Sequence, residues 1–110
     1  MLKMVHKNKV VLVTGASKGM GYKVAELFAL SGAKVFLVAR DKKNLVNACN
    51  KIRKKGGKVE YLAADVSTKN IENKIFSKCK KKFGRVDILI NNAGGAPMGT
   101  LFEHSATNWE

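Results

Sequence analysis

Residues 10–21 read VVLVTGASKGMG and decide the fold of this chain. The first four are aliphatic, as in a strand that is buried on both faces of a parallel sheet, and a turn containing Gly15, Gly19 and Gly21 follows at once. Gly15 allows a tight exit from the strand, Gly19 leaves space beside the backbone, and Gly21 lets a helix pack close to the strand. Because free amides at such a helix start attract anions, the stretch predicts a strand, a phosphate-binding turn and a helix.

The rest of the chain alternates short apolar runs with amphipathic segments. Asp41 and Ser67 are predicted to cap the second and third helices. Since right-handed crossovers make successive strands of this kind parallel, the sequence predicts an α/β fold with a Rossmann-like, doubly wound parallel sheet, truncated after the fourth strand. The predicted strands cover 9–14, 34–39, 59–63 and 86–91, and the predicted helices cover 19–31, 42–55 and 68–83.

Each predicted helix has an apolar face. The expected core-facing residues are Val24, Leu27, Phe28 and Ser31 on the first helix, Leu45, Ala48, Cys49 and Ile52 on the second, and Ile71, Ile75, Cys79 and Phe83 on the third. Both cysteines fall on these faces, without metal-ligand spacing, and are predicted to be buried thiols in a reducing compartment. A glycine-containing loop over 94–104 and a helix start at Ser105 are predicted to follow the fourth strand.

The net charge of +13 is the unusual feature of the composition. It is concentrated in residues 51–55 and 78–82, at the C-terminal ends of two predicted helices, where cations suit the helix dipole. No aromatic residues alternate with these lysines, as a base-stacking surface would require, so we favour a solvated lysine-rich face over a nucleic-acid site. No apolar run is long enough to span a membrane, and no nucleic-acid or membrane partner is expected.

A second motif, Asn91-Asn92-Ala93-Gly94, follows the fourth predicted strand, and Asp65 ends the third. Together with the glycine turn, these motifs resemble those of the short-chain dehydrogenase/reductase family over residues 9–110. The resemblance implies that Asp65 binds the adenine amino group, and that the Asn91 segment lines the cofactor beside its ribose and nicotinamide. The cofactor-binding residues it implies are Gly15, Ser17, Lys18, Gly19, Met20, Gly21, Arg40, Asp65, Val66, Asn91, Ala93 and Gly94.

The end of the second predicted strand favours NADP(H) over NAD(H). NAD-binding sites typically carry an acid there for the ribose hydroxyls, whereas this chain has Ala39 followed by Arg40. A guanidinium suits a 2′-phosphate, and Lys18 in the glycine turn would add a second positive charge. The alternative is that Asp41 is the ribose acid, but the helix that follows it directly favours a capping role.

The residues that carry out catalysis in the family are not found in these 110 residues. The resemblance implies a Ser, a Tyr and a Lys in YxxxK spacing, and an Asn, all after the fourth strand. Tyr22 is followed at the fourth place by Glu26, and Tyr61 by Asp65, so neither matches. Catalytic residues are therefore expected beyond Glu110, and this chain is predicted to be inactive alone.

The sequence thus predicts about the N-terminal half of a single-domain cytoplasmic enzyme, residues 1–110, that binds NADP(H). The resemblance implies hydride exchange between nicotinamide and a carbonyl or alcohol substrate, and a homodimer or homotetramer at full length. Ending here would leave the fourth strand as an apolar edge, so the isolated chain is expected to be marginally stable or to self-associate. The alternatives are a non-catalytic nucleotide-binding module and a basic nucleic-acid-binding protein.

Overall fold

The structure, a computed structural model, describes residues 7–92. Four parallel strands form one sheet in the order β3-β2-β1-β4. Three helices connect them, which confirms the predicted α/β fold with a doubly wound parallel sheet. The elements are β1 (Val10–Thr14), α1 (Gly19–Leu30), β2 (Lys34–Ala39), α2 (Lys42–Lys54), β3 (Lys58–Ala63), α3 (Ile71–Phe83) and β4 (Ile88–Asn91).

The two faces of the sheet carry two separate cores, because successive side chains of a strand point to opposite sides. Val11 and Val13 of β1 pack on the side of α1 and α2. Val10 and Leu12 pack on the side of α3. All five residues of β1 are buried, as its continuous apolar run predicted.

The predicted start of α2 is confirmed by its capping contact. The Asp41 carboxylate accepts a hydrogen bond of 3.1 Å from the Asn44 amide, so Asp41 caps the helix as predicted. Gly84 ends α3 in the left-handed conformation, with φ of 87°, and its amide donates to the Lys80 carbonyl. The predicted buried stripe of α2 and both buried thiols are confirmed.

The prediction for the core-facing side of α1 is wrong at Leu27, which is 55% exposed. The residues that α1 buries are instead Gly21, Ala25 and Ala29. Small side chains occupy this line because the helix approaches the sheet closely, and the larger Val24 and Phe28 are only partly buried at its sides.

The predicted cap of α3 is also wrong. The Ser67 hydroxyl donates to the Asp65 carboxylate at 2.7 Å, and the Thr68 amide donates to the Asp65 carbonyl, so this segment forms turns before the helix. The helix starts after Asn70, which has φ of 64° and makes no side-chain capping bond. Asp65 competes for the capping hydroxyl, and this moves the helix start to Ile71.

The strand boundaries differ from the prediction by up to two residues. β1 begins at Val10, β3 at Lys58 and β4 at Ile88. The Asp87 carboxylate, just before β4, accepts hydrogen bonds from the Val10 amide at 2.8 Å and from Arg85 Nε at 2.8 Å.

The predicted loop over 94–104 and the Ser105 cap lie outside the described residues. Between residues 7 and 92 no helix is long and apolar enough to cross a membrane.

Candidate functional site

A cleft of about 780 Å³ opens at the carboxyl ends of β1, β2 and β3. Open parallel sheets bind ligands at this edge. Of the twelve residues that the resemblance implied, eight line the cleft: Gly15, Ser17, Lys18, Gly19, Met20, Arg40, Asp65 and Val66. The cleft is also lined by Ala39, Asp41, Asn44, Ala64, Ser67 and Asn92.

The glycine turn has the geometry that its spacing indicates. Gly15 and Gly19 have φ of 61° and 62°, in the left-handed region that disfavours side chains. A Cβ at Gly19 would meet no atom within 4 Å, so open space lies beside the backbone there. A Cβ at Gly21 would overlap the Gly15 carbonyl oxygen and come within 2.8 Å of Asn92 Nδ2. Gly21 therefore lies beneath the turn rather than in the cleft lining, and permits the close approach of α1.

The first turn of α1 is open to a ligand. Lys18 precedes the helix in an extended conformation, with φ of −158°, and no side chain caps the helix start. The first turn contains no acidic residue. Because the first amides of a helix have no partner within the helix and carry its positive dipole end, this position favours an anion.

The end of β4 is bonded to the glycine turn. Thr14 Oγ1 donates to Asn91 Oδ1 at 2.9 Å and accepts the Asn92 amide at 3.1 Å. Asn92 Nδ2 donates to the Gly15 carbonyl at 3.3 Å. These three bonds hold the strand end and the turn in a fixed relation across the sheet.

Asn91 and Asn92 point to opposite faces of the sheet. Asn92 lines the cleft. Asn91 lines a second cavity, of about 280 Å³, on the α3 side together with Leu12 and Leu89. The sequence reasoning assigned Asn91 and not Asn92 to the site, although the two-residue alternation of β4 was a signal that could separate them. Ala93 and Gly94 lie outside the described residues.

Arg40 and Asp41 lie side by side in the cleft lining but have different environments. The Arg40 side chain is exposed. Asp41 accepts from the Asn44 amide at 3.1 Å and from Asn44 Nδ2 at 3.3 Å. Both carboxylate oxygens of Asp41 are thus engaged with the start of α2, whereas Arg40 lines the cleft with an exposed side chain. Asn44 is a cleft residue that sequence reasoning missed, and its place three residues after the cap was the available signal.

Asp65 is held as a carboxylate at the end of β3. Hydrogen bonds from the Ser67 hydroxyl and amide, with a smaller contribution from the Arg40 charge, lower the pKa of Asp65. Asp65 therefore presents an acceptor at neutral pH.

The cleft lining also has exposed apolar surface. Met20 and Val66 are two of the three large apolar side chains exposed in the described part of the chain, at 57% and 37%.

Tyr22 lacks the environment of a catalytic acid or base. Its hydroxyl donates to Glu26 Oε2 at 2.8 Å, and burial together with this contact raises the pKa of Tyr22 to about 12. A raised pKa disfavours the phenolate form of Tyr22.

Among residues 7–92 no group of His, Cys, Asp and Glu side chains could hold a metal ion.

Comparison with known proteins identifies the family of this chain. A family model described as short chain dehydrogenase matches residues 9–110. An uncharacterized oxidoreductase of Staphylococcus saprophyticus is 38% identical over 105 residues, which are 94% of this chain and 45% of that protein. A CLA biosynthesis dehydrogenase/reductase of Lactiplantibacillus plantarum is 38% identical over 104 residues, 94% of this chain and 36% of that protein.

Solved structures agree with the sequence matches. The apo form of a glucose dehydrogenase of Caenorhabditis elegans has a TM-score of 0.77 at 38% identity, covering 84% of this chain and 40% of the other. A short chain dehydrogenase from Mycobacterium smegmatis has a TM-score of 0.80 at 33% identity, with coverages of 84% and 40%. The chain spans less than half the length of the curated relatives it matches.

Proposed function

The chain belongs to the short-chain dehydrogenase family, and we propose that it is the NADP(H)-binding part of an oxidoreductase that acts on a carbonyl or alcohol. Members of this family bind NAD or NADP. The observation that carries the choice of NADP(H) is the pair Arg40 and Asp41. Arg40 lines the cleft, and the neighbouring Asp41 carboxylate, which could otherwise take the ribose hydroxyls at this strand end, is engaged with α2.

The residues of the cleft fit a dinucleotide. The glycine turn and the uncapped start of α1 would hold the pyrophosphate. Arg40 and Lys18 would hold the 2′-phosphate by charge-assisted hydrogen bonds, and Asp65 would accept from the adenine amino group. When bound, the nicotinamide supplies or takes up the hydride. The protein's part is to orient it, with Asn92 fixing the position of the glycine turn.

The roles of the remaining residues follow from their places in the cleft. Ser17 lies in the turn, and Met20 and Val66 offer apolar surface to the cofactor. We propose that Ala93 and Gly94 extend the lining, as the resemblance implies. Asn91 would support the site through Thr14.

The test of NADP(H) choice is Arg40→Asp, measured by calorimetric titration of the 110-residue chain with NADPH and NADH. The variant removes the cation and places a carboxylate where ribose hydroxyls would lie. We expect NADPH to bind at least about tenfold more weakly and the preference to move toward NADH, since a charged hydrogen bond is worth about 1.5–3 kcal/mol.

Lys69→Asp is the matched control, since it makes the same charge change at an exposed position outside the cleft lining. It should leave the NADPH to NADH ratio unchanged. An unchanged ratio in Arg40→Asp would refute the 2′-phosphate role, and failure of wild type to bind either nucleotide would refute the proposed function.

We further propose that residues 1–110 form about the N-terminal half of a single-domain cytoplasmic enzyme that acts as a homodimer or homotetramer. Its Ser, Tyr and Lys would then lie outside these residues. Free, buried Cys49 and Cys79 are consistent with a reducing compartment. The chain alone is expected to bind NADPH and to show no oxidation of it, followed at 340 nm, with any of a panel of ketones and aldehydes. Turnover would contradict this assignment.

A further inference from the structure

The β3 edge, residues 58–63, has no neighbouring strand on its outer side within the described part of the chain. β3 is paired with β2 alone, in parallel register. Because the Ala64 amide donates to the Ala39 carbonyl, the alternate residues Val59, Tyr61 and Ala63 turn their backbone N–H and C=O groups away from β2. Arg53 already donates to the Val59 carbonyl, and the outward groups of Tyr61 and Ala63 can pair with an added strand.

Cations from both faces of the sheet converge on this edge. Arg53, in the last turn of α2, donates from Nη2 to the Val59 carbonyl at 2.8 Å and lies 3.8 Å from Glu60 Oε2. Lys82, in the last turn of α3 on the opposite face, lies 3.9 Å from Glu60 Oε1. Two lysine-rich runs that are distant in sequence therefore end at the same strand.

The positive charge at this edge exceeds the acid present. Glu60 is already flanked by two cations. Lys58 lies in β3, Lys54 follows Arg53, and Lys78 lies one helical turn before Lys82 on the same side of α3. These three lysines are exposed and form no ion pair with any residue between 7 and 92. Leu27, Met20 and Val66 are the large apolar side chains exposed in that range, and none belongs to this edge. A partner that binds the β3 edge would therefore be recognised through backbone hydrogen bonds and charge.

We propose that the β3 edge binds an extended acidic segment of another protein by strand addition. Side chains of an added strand point alternately to the two faces of the sheet, so its carboxylates would reach the lysines of α2 on one side and of α3 on the other. A second copy of the same edge carries the same charge and would be repelled. A nucleic acid or an anionic membrane would use the charge but not the backbone groups of β3.

The test uses the 110-residue chain and a fluorescein-labelled dodecapeptide that repeats Glu-Glu-Val-Val, which puts glutamates on both faces of a strand. Binding is measured by fluorescence anisotropy at about 50 mM salt, where screening is weak. The variant replaces three edge lysines and should weaken binding about tenfold, since each exposed ion pair contributes about 0.2–1 kcal/mol. Its substitutions are Lys54→Gln, Lys58→Gln and Lys78→Gln.

The matched control removes the same charge from exposed positions away from the β3 edge, and should bind the peptide within about twofold of wild type. Its substitutions are Lys23→Gln, Lys42→Gln and Lys69→Gln. A second control is the same peptide with every backbone nitrogen methylated. It keeps every carboxylate but cannot donate from either edge of the strand, and should bind at least about tenfold more weakly.

Three results would overturn the proposal: equal losses in the two lysine variants, equal binding of the methylated peptide, or no binding of the plain peptide at about 1 mM. Tighter binding of a DNA duplex or of phosphatidylserine vesicles than of the peptide would also overturn it, and would assign the charge to that partner. NADPH titration of the same samples reports separately on the cleft, so loss of one function does not imply loss of the other.

Discussion

Helices α1 and α3 pack on opposite faces of the same sheet by different means. α1 buries only Gly21, Ala25 and Ala29, whereas α3 buries Ile75 and Cys79. Large partly buried side chains surround the α3 contact, and the ring of Phe83 meets that of Phe36 edge-on at 6.5 Å. α1 thus lies close to the strands through small side chains at the centre of its contact, whereas the centre of the α3 contact is formed by larger ones.

The difference follows from what each helix start must do. α1 begins in the glycine turn, and its amides face the cleft only if its backbone lies against Gly15 and Asn92. α3 begins after a turn at Asn70, and no close backbone contact is needed there. Small residues in α1 therefore position the start of the helix at the cleft, while large residues in α3 stabilise the packing of the helix on the sheet.

The largest expected effect on stability is that of Ile75→Ala. The substitution leaves a cavity between α3 and the sheet and should cost about 2–5 kcal/mol of the free energy of unfolding. Urea unfolding followed by circular dichroism measures the loss, and NADPH affinity of the folded protein should stay unchanged because Ile75 is not in the cleft lining. Lys74→Ala, at an exposed neighbouring position, should be near neutral. A weakened NADPH affinity in Ile75→Ala would contradict the separation of roles.

Gly21→Ala should reverse that pattern. The added methyl overlaps the Gly15 carbonyl and Asn92, so α1 must move away from the turn. We expect a loss of about 1–3 kcal/mol in stability and at least about a tenfold loss of NADPH affinity in calorimetric titration, since the helix amides are displaced.

Gly56→Ala is the control for Gly21→Ala. Gly56 has φ of 91° with open space beside it, and it lies outside the cleft lining. This substitution introduces backbone strain of about 1–2 kcal/mol without overlap, and should leave NADPH affinity as it is. If both variants lost affinity equally, general destabilisation rather than the position of α1 would explain the result.

The same two helices show how much could be predicted from sequence. The face of α3 was correct because its large apolar residues recur every four positions, and periodicity detects burial of large side chains. The face of α1 was wrong at Leu27 because apolar size was taken as the signal, whereas a close helix contact selects glycine and alanine. The glycine turn itself indicated that close contact, so the signal was present.

The cap of a helix could be predicted from sequence at Asp41, where the side chain has one set of bonding partners, but not at Ser67, whose hydroxyl has a second partner nearby. Asp41 caps α2 as expected, since its carboxylate accepts from both the amide and the side chain of Asn44. The Ser67 hydroxyl was equally suitable in sequence, but Asp65 two residues earlier takes it. The convergence of both lysine-rich runs on Glu60 depends on strand order and was beyond the reach of spacing arguments.

The smallest expected effect concerns the polar contacts between α1 and the end of α2. Glu26 Oε2 accepts from Lys55 Nζ at 2.7 Å and from the Tyr22 hydroxyl at 2.8 Å, which ties α1 to the end of α2. The hydrogen bond from Lys55, followed by that from Tyr22, lowers the pKa of Glu26 below its usual 4.5. A group with a lowered folded pKa stabilises the fold fully above its unfolded pKa, and this contribution is lost as the pH falls through the folded value.

A double-mutant cycle of Glu26→Gln and Lys55→Gln should therefore give a coupling free energy below about 1 kcal/mol at neutral pH, because Lys55 is half exposed. The coupling should fall as the pH is lowered through the depressed pKa of folded Glu26, because the carboxylate is then protonated in the folded chain as well as in the unfolded one. Urea unfolding of the four proteins at each pH measures it. Coupling that persisted at low pH would mean that the contact acts through packing, and that α1 is held much as α3 is.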